Sequence, residues 1–164
     1  MSAQSLTEYE IKILDNVQRS GCYITSVFDP DGEEPTFAYS AGFSKTVGQP
    51  EIICFGLSTE IMGFMINETL DQCSGGLELI EGVRISGLLE GHDVIGKRIP
   101  QHRIEREYFN SAMWYHKHEF GTDLTEAIQL VWPGSGNGLF PWEADCPQNV
   151  IDLQPALYEP RLNS

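Results

Sequence analysis

The pattern of hydrophobic and polar positions predicts a helix and then a β-hairpin at the start of the chain. Apolar side chains recur at helical spacing after a capping-box sequence that begins at Thr7, which predicts an opening helix over residues 7–20. Residues 22–28 and 36–43 are rich in β-branched and aromatic residues. An Asp-Pro-Asp-Gly sequence between them is typical of a tight turn. These two segments are therefore predicted to pair as an antiparallel hairpin.

Further along the chain, the pattern predicts short strands separated by two longer helices. Residues 51–57 contain a continuously apolar core, which is typical of a central strand covered on both faces. One helix is predicted to begin after Ser58 and another after Pro100. Residues 77–98 carry apolar anchors interrupted by glycines, which indicates bent strands. Residues 127–132 are predicted to form the last strand.

The order of these elements indicates the fold class. Strands and helices do not alternate regularly, so the sequence favours an α+β fold over a doubly wound parallel sheet. We expect a single domain over residues 1–164, with a curved, mainly antiparallel sheet that is open or partly closed into a barrel, and about three helices. Residues 145–164 show little periodicity and are predicted to form an irregular C-terminal strap or tail.

The charge balance limits the partners that the chain can bind. Its 164 residues include 10 Lys+Arg and 24 Asp+Glu, which gives a formal net charge of −14. Nucleic-acid binding without sequence preference needs a basic face that displaces counterions, and anionic membranes repel an acidic surface. We therefore expect no nucleic-acid partner and no membrane partner, whereas a basic protein would be attracted.

The cysteines, the histidines and the N-terminal residues bear on compartment and metal binding. The 4 cysteines include no C-x-x-C pair, which disfavours a zinc knuckle or a redox pair. The first residues do not have the basic and apolar regions of a signal peptide. His116 and His118 are two residues apart on a predicted helix, where they do not share a face. We expect a cytoplasmic protein with no intrinsic metal.

Four basic residues lie close together in the sequence, namely Lys97, Arg98, Arg103 and Arg106. In so acidic a chain they are candidates for an anion-binding site, because Lys and Arg donate charge-assisted hydrogen bonds to anions. The alternative is that neighbouring glutamates neutralise these side chains as pairs on a helix surface.

Five further residues are candidates for a ligand-binding cleft. Trp132 and Trp142 lie beside prolines on either side of a glycine-rich loop, so they either form an aromatic wall or plug one end of the core. Tyr39, Glu51 and Gln129 are polar residues in or at the start of apolar strands, where a buried polar group needs a partner. Our hypothesis is that all five converge on one cleft. The alternative is a structural network that fixes strand register.

Five sequence motifs occupy residues 21–28, 37–43, 48–57, 129–133 and 138–143. Taken together, these motifs resemble the bacterial "domain of unknown function 4262" family. The family usually has Gly-His-Pro-Glu where this chain has Gln49 between Gly48 and Pro50, so a functional role of that histidine would not extend to this chain. The resemblance implies a bacterial, mostly stand-alone cytoplasmic domain, and it implies no known activity.

Two functional hypotheses follow from these observations. The first is a non-catalytic binding module, monomeric or homodimeric, whose acidic surface and tryptophan wall engage a basic protein partner or a small ligand. It requires no cofactor. The second is a flavin-binding split-barrel protein or oxidoreductase, with the FMN phosphate on Lys97, Arg98 or Arg103. The second hypothesis rests on a likeness in element order alone.

Overall fold

One six-stranded sheet forms the centre of the computed structural model, which describes residues 5–159. The strands are β1 (Tyr23–Val27), β2 (Phe37–Ala41), β3 (Glu51–Phe55), β4 (Arg84–Leu89), β5 (His92–Arg98) and β6 (Ala127–Val131). Their order across the sheet is β1-β2-β3-β6-β5-β4. Neighbouring strands are antiparallel except β3 and β6, which are parallel. The predicted α+β class and the predicted hairpin are therefore confirmed.

The sheet is open, and the prediction of a partly closed barrel is not confirmed. β1 and β4 form its two edges and are not paired with each other. Sequence patterns show which segments are extended, but they do not show whether the first and last strands meet, because that pairing joins residues far apart in the chain. The pairing of β4 with β5 shifts register between Ile85 and Leu89, in the region where glycines predicted bends.

Five α-helices lie within the described residues, so the prediction of three was too low. They are α1 (Glu8–Ser20), α2 (Phe43–Thr46), α3 (Thr59–Ser74), α4 (Arg106–Phe120) and α5 (Gln148–Asp152). The three long helices are the predicted ones, whereas α2 and α5 are too short to show a full repeat of apolar positions. No helix in this part of the chain has the length and apolar character needed to span a membrane.

The helix ends follow the predicted capping signals. The Thr7 hydroxyl accepts the backbone N–H of Glu10 at 3.1 Å, and the Glu10 carboxylate accepts the N–H of Thr7 at 2.9 Å. This reciprocal pair is the predicted capping box. Ser58 caps α3 by accepting the N–H of Ile61 at 3.1 Å. These local hydrogen bonds explain why the starts of α1 and α3 could be predicted from the sequence.

Helices cover both faces of the sheet. Ile13 of α1 and Phe109 of α4 pack with Ile53 on one face. Met65 of α3 packs with Cys54 and other buried residues on the opposite face. All five residues of β3 are buried. The prediction that this strand is central and covered on both sides is therefore confirmed.

The C-terminal segment lies against the end of β6. It contains α5, and two of its later residues, Gln154 and Leu157, are buried. At Gly56, which follows β3 with φ +83°, an added Cβ would lie 2.6 Å from the Leu153 carbonyl oxygen and 3.1 Å from the ring of Trp132. The close contact between this segment and the sheet therefore leaves no room for a side chain at Gly56. Residues 160–164 of the predicted strap lie outside the described residues.

We predict that Gly56→Ala destabilises the fold far more than Gly91→Ala. Both glycines have similar positive φ angles, +83° and +79°, but Gly91 has no atom within 4 Å of an added Cβ. The strained backbone alone costs about 1–2 kcal/mol, and overpacking adds about 1–3 kcal/mol at Gly56 only. Urea unfolding of both variants measures the difference. Equal losses of unfolding free energy would contradict the tight contact between Gly56 and the C-terminal segment.

Candidate functional site

Tyr39, Gln129 and Lys97 lie on one row that crosses the sheet. The strand registers place Thr25 opposite Tyr39 and Tyr39 opposite Ile53. On the other side of Ile53 lies Gln129, which is itself opposite Lys97. Directly opposed residues point to the same face of a sheet. Three candidate side chains are thus aligned on the face that holds Tyr39 and Ile53, although each meets a different partner.

The hydroxyl of Tyr39 contacts α4 where that helix is irregular. Phe109 has φ −138° and ψ 25°, which is outside the helical region. Two residues later, the backbone N–H and the Oγ of Ser111 each donate to the Tyr39 hydroxyl at 3.0 Å. Ser111 Oγ also lies 2.8 Å from Thr25 Oγ1. The tyrosine therefore satisfies a backbone donor next to the break and attaches α4 to β2.

Glu51 is a completely buried carboxylate at the start of β3. It accepts hydrogen bonds from Ser40 Oγ at 2.8 Å and from the backbone N–H groups of Gly42 at 2.9 Å and Phe43 at 3.1 Å. Burial raises the pKa of Glu51 to about 7, because desolvation outweighs these donors, which favour the charged form. The carboxylate thus links β3 to the turn that follows β2, and it does not meet Tyr39 or Gln129.

Gln129 and Gln154 connect β6 to the C-terminal segment in a reciprocal way. The Gln129 amide donates to the carbonyl of Pro155 at 2.9 Å and accepts the N–H of Leu157 at 3.0 Å. In return, the Gln154 amide accepts the N–H of Trp132 at 3.0 Å and donates to its carbonyl at 2.9 Å. Each glutamine therefore pairs with main chain as a neighbouring strand would, because each side-chain amide both donates to and accepts from the backbone.

The two candidate tryptophans lie in different environments. Trp132 is buried, and its indole N–H donates to the Phe55 carbonyl at 2.7 Å. Trp142 is 44% exposed and stacks on Phe140 with ring centroids 5.1 Å apart. The Nζ of Lys97 lies 5.1 Å from the centroid of the Trp142 ring. The structure thus brings Trp142 together with a predicted anion-binding residue rather than with Trp132.

The four basic candidates occupy separate places. Lys97 is 2.7 Å from Glu81, and Arg98 is 3.8 Å from Glu126. Arg103 donates to the backbone carbonyl of Glu159 at 2.6 Å. Arg106 lies in another cleft of the surface. Because consecutive residues of a strand point to opposite faces, nearness in sequence does not bring Lys97 and Arg98 together.

The cavity that contains Arg106 lies between α1 and α4, and we name it the α1–α4 cleft. Its volume is about 400 Å³. Its lining includes Tyr9, Arg106, Asn110, Ser111, Trp114 and Lys117. Through Ser111, the cleft lies next to Tyr39, so one anion-binding candidate and one ligand-binding candidate adjoin the same cavity.

A second cavity, of about 420 Å³, lies at the end of the β1–β2 hairpin. Its lining contains the acidic residues Asp29, Glu33, Glu34 and Asp152. No lysine or arginine among residues 5–159 lines it. Phe28, which precedes Asp29 in the chain, is 65% exposed. We name these five residues the acidic hairpin end. It combines concentrated negative charge with a large exposed apolar side chain that is adjacent to Asp29 in the chain.

The histidine and cysteine side chains of residues 5–159 form no metal-binding arrangement. His118 stacks on Trp114 with centroids 5.0 Å apart, whereas His116 contacts Phe120. No group of three or more His, Cys, Asp or Glu side chains in this range is positioned to hold a metal ion.

The family described as Domain of unknown function (DUF4262) matches residues 16–147. The chain belongs to this family. The DUF4262 match spans all six strands, but Gln154, Tyr9 and the start of α1 lie outside it. No curated protein and no solved structure matches the chain.

Gln49 of this DUF4262 chain has a structural contact. Its Oε1 accepts the N–H of Leu79 at 2.8 Å. It also lines a cleft of about 370 Å³ with Arg98 and Glu126. The side chain thus connects the loop before β3 to the segment before β4.

Sequence reasoning missed Ser111, Gln154 and Tyr158. Ser111 is a small residue on the buried side of a helix, where the pattern indicates only core. Gln154 lies in a segment without periodicity, and its partner Trp132 is 22 residues away. Tyr158 packs edge-on against Trp142 with ring centroids 5.9 Å apart. No local pattern signals such contacts, because each joins distant parts of the DUF4262 chain.

We predict that Glu51 makes stability fall as pH rises from about 4.5 to about 7. Its folded-state pKa is raised above the unfolded value, so the folded protein holds the proton more tightly throughout this window. Glu51→Gln cannot ionise, and its unfolding free energy relative to wild type should therefore increase by about 3 kcal/mol across the window.

Urea unfolding at several pH values measures this difference, and Glu126→Gln, which alters an exposed carboxylate, is the control. A difference between Glu51→Gln and wild type that stays constant with pH would contradict the raised pKa.

Proposed function

We propose that this DUF4262 domain is a non-catalytic binding module for a basic protein partner, which docks at the acidic hairpin end. The observation that carries the proposal is the composition of this surface. Four carboxylates line one cleft, and no lysine or arginine among residues 5–159 lines it with them. Phe28, whose ring is exposed, is next to Asp29 in the chain. A lysine- or arginine-rich segment that also presents an apolar residue is complementary to both features.

Backbone hydrogen bonds keep the Asp29 carboxylate of the acidic hairpin end ionised and fix its position. The Asp29 carboxylate accepts the backbone N–H groups of Asp31 at 3.0 Å, Glu33 at 3.1 Å and Glu34 at 3.2 Å. These hydrogen bonds lower the pKa of Asp29, so it remains charged at neutral pH. The loop geometry that presents Glu33 and Glu34 is thereby fixed, which reduces the entropy lost on docking.

The net charge of the whole chain supports the same conclusion. A protein with a formal net charge of −14 attracts cationic partners over several ångströms and accelerates their encounter. Contacts at the hairpin end then determine where the partner docks. This combination predicts fast association that weakens as salt is added.

A non-catalytic role is supported by the hydrogen bonds that the polar candidate residues make within the protein. Tyr39, Glu51 and Gln129 each have hydrogen-bond partners within the fold. The flavin-binding alternative receives less support, because the cations proposed for the FMN phosphate are engaged separately. Lys97 pairs with Glu81, whereas Arg103 binds main-chain carbonyls.

We predict that Glu33→Lys/Glu34→Lys weakens binding of a fluorescent peptide with four lysines and two leucines by about tenfold or more. The matched control, Asp71→Lys/Glu90→Lys, makes the same change in net charge at exposed sites of α3 and the β4–β5 turn. It should weaken binding by about threefold or less, because only long-range attraction changes.

Fluorescence anisotropy at low and moderate salt measures both double variants, and Phe28→Ser tests the apolar contact. Equal losses in the two double variants would show that only net charge acts. That result would overturn the assignment to the hairpin end, as would the absence of peptide binding by the wild-type protein at low salt.

A further inference from the structure

The α1–α4 cleft has the size and the apolar surface of a small-molecule site. Its volume of about 400 Å³ is within the usual range of ligand pockets. Tyr9 is 45% exposed, and it lines the cleft with Met113 and Trp114. The Trp114 ring is already held in place, because it stacks on His118 at an interplanar angle of 14°. A flat apolar group entering the cleft would therefore meet an ordered aromatic surface.

Among the charged groups that line the cleft, one cation forms no ion pair. The Glu10 carboxylate is engaged by the N–H of Thr7, and Asp123 lies 3.7 Å from Lys117. Arg106 is exposed and forms no ion pair with any residue in the range 5–159. A guanidinium presents paired N–H donors that match the two oxygens of a carboxylate. Arg106 is thus available for an anionic ligand.

The floor of the cleft is fixed to the sheet. Ser111 lines the cleft and is hydrogen-bonded to Tyr39. The break in α4 at Phe109 lies between Arg106 and Asn110, so these two polar side chains leave the helix on either side of the break. Across the described part of the chain, the Asn110 side chain has no hydrogen-bond partner, which leaves its amide free for a ligand. A fixed floor with free polar groups is the arrangement that binding sites require.

We infer that the α1–α4 cleft binds a small organic anion with a flat apolar body, in the class of aromatic carboxylates. Arg106 holds the carboxylate, Asn110 provides a further hydrogen bond, and Tyr9 and Trp114 contact the ring. This site goes beyond the proposed function and does not depend on it. The overall charge of −14 repels anions at a distance, so recognition relies on direct contact with Arg106.

The test compares 1-naphthylacetate with 1-naphthylacetamide, which has a similar shape but no charge. The full chain, labelled with ¹⁵N, is titrated with each compound and followed by NMR. We expect 1-naphthylacetate to shift the Asn110 signals and the Trp114 indole signal. Its affinity should exceed that of the amide by about tenfold, as expected for a charged hydrogen-bonded contact.

Arg106→Gln should abolish the preference for the acid while leaving the melting temperature unchanged, because the side chain is exposed. Arg84→Gln makes the same charge change on β4 and should keep the preference. Glu33→Lys/Glu34→Lys should also keep it, which separates this site from the hairpin end. Equal affinities for acid and amide, a preference that survives in Arg106→Gln, or no shift at Trp114 up to about 10 mM would each overturn the proposal.

Discussion

The parallel pairing of β3 with β6 is the constraint on which the rest of the structure depends. It joins the antiparallel group β1-β2-β3 to the antiparallel group β6-β5-β4 at the middle of the sheet. All five residues of each of these two strands are buried, so both faces of the sheet must be covered. Between β3 and β6 the chain forms α3, β4, β5 and α4, which places α3 on one face and α4 on the other. The position of α4, and with it one wall of the α1–α4 cleft, follows from this path.

The central pairing of β3 with β6 also explains why the polar residues of these strands form hydrogen bonds within the protein. Gln129 is fully buried between neighbouring strands and needs partners for its amide, which the main chain of the C-terminal segment provides. Gln154 of that segment pairs in return with the main chain of Trp132. A polar residue in an apolar strand therefore indicated an obligatory hydrogen bond correctly. It did not indicate whether the partner would be a ligand or another part of the chain.

Local signals predicted the local structure, and contacts between distant residues could not be predicted. The capping box at Thr7 and the turn between residues 28 and 36 were sufficient for α1 and for the first hairpin, because their hydrogen bonds join near neighbours. The pairing of β3 with β6 could not be predicted, since the apolar residues of both strands indicate burial but not which strand lies alongside. For the same reason the cluster of basic residues near position 100 was misleading. A strand, a 3₁₀-helix and an α-helix carry those residues in turn, and each element directs its side chains differently.

The opposite charge preferences of the two proposed sites are compatible because they act over different distances. The net charge of −14 attracts cations and repels anions beyond the surface, but this field decays over about 8–10 Å at physiological salt. A guanidinium that contacts a carboxylate acts within hydrogen-bond distance, where its paired N–H donors bind the two oxygens directly. Under the two proposals, the field governs the rate at which a large basic partner arrives, whereas the lining of the α1–α4 cleft governs which small anion is retained. An acidic protein can accordingly hold an anion where a local cation, here Arg106, forms no ion pair with residues 5–159.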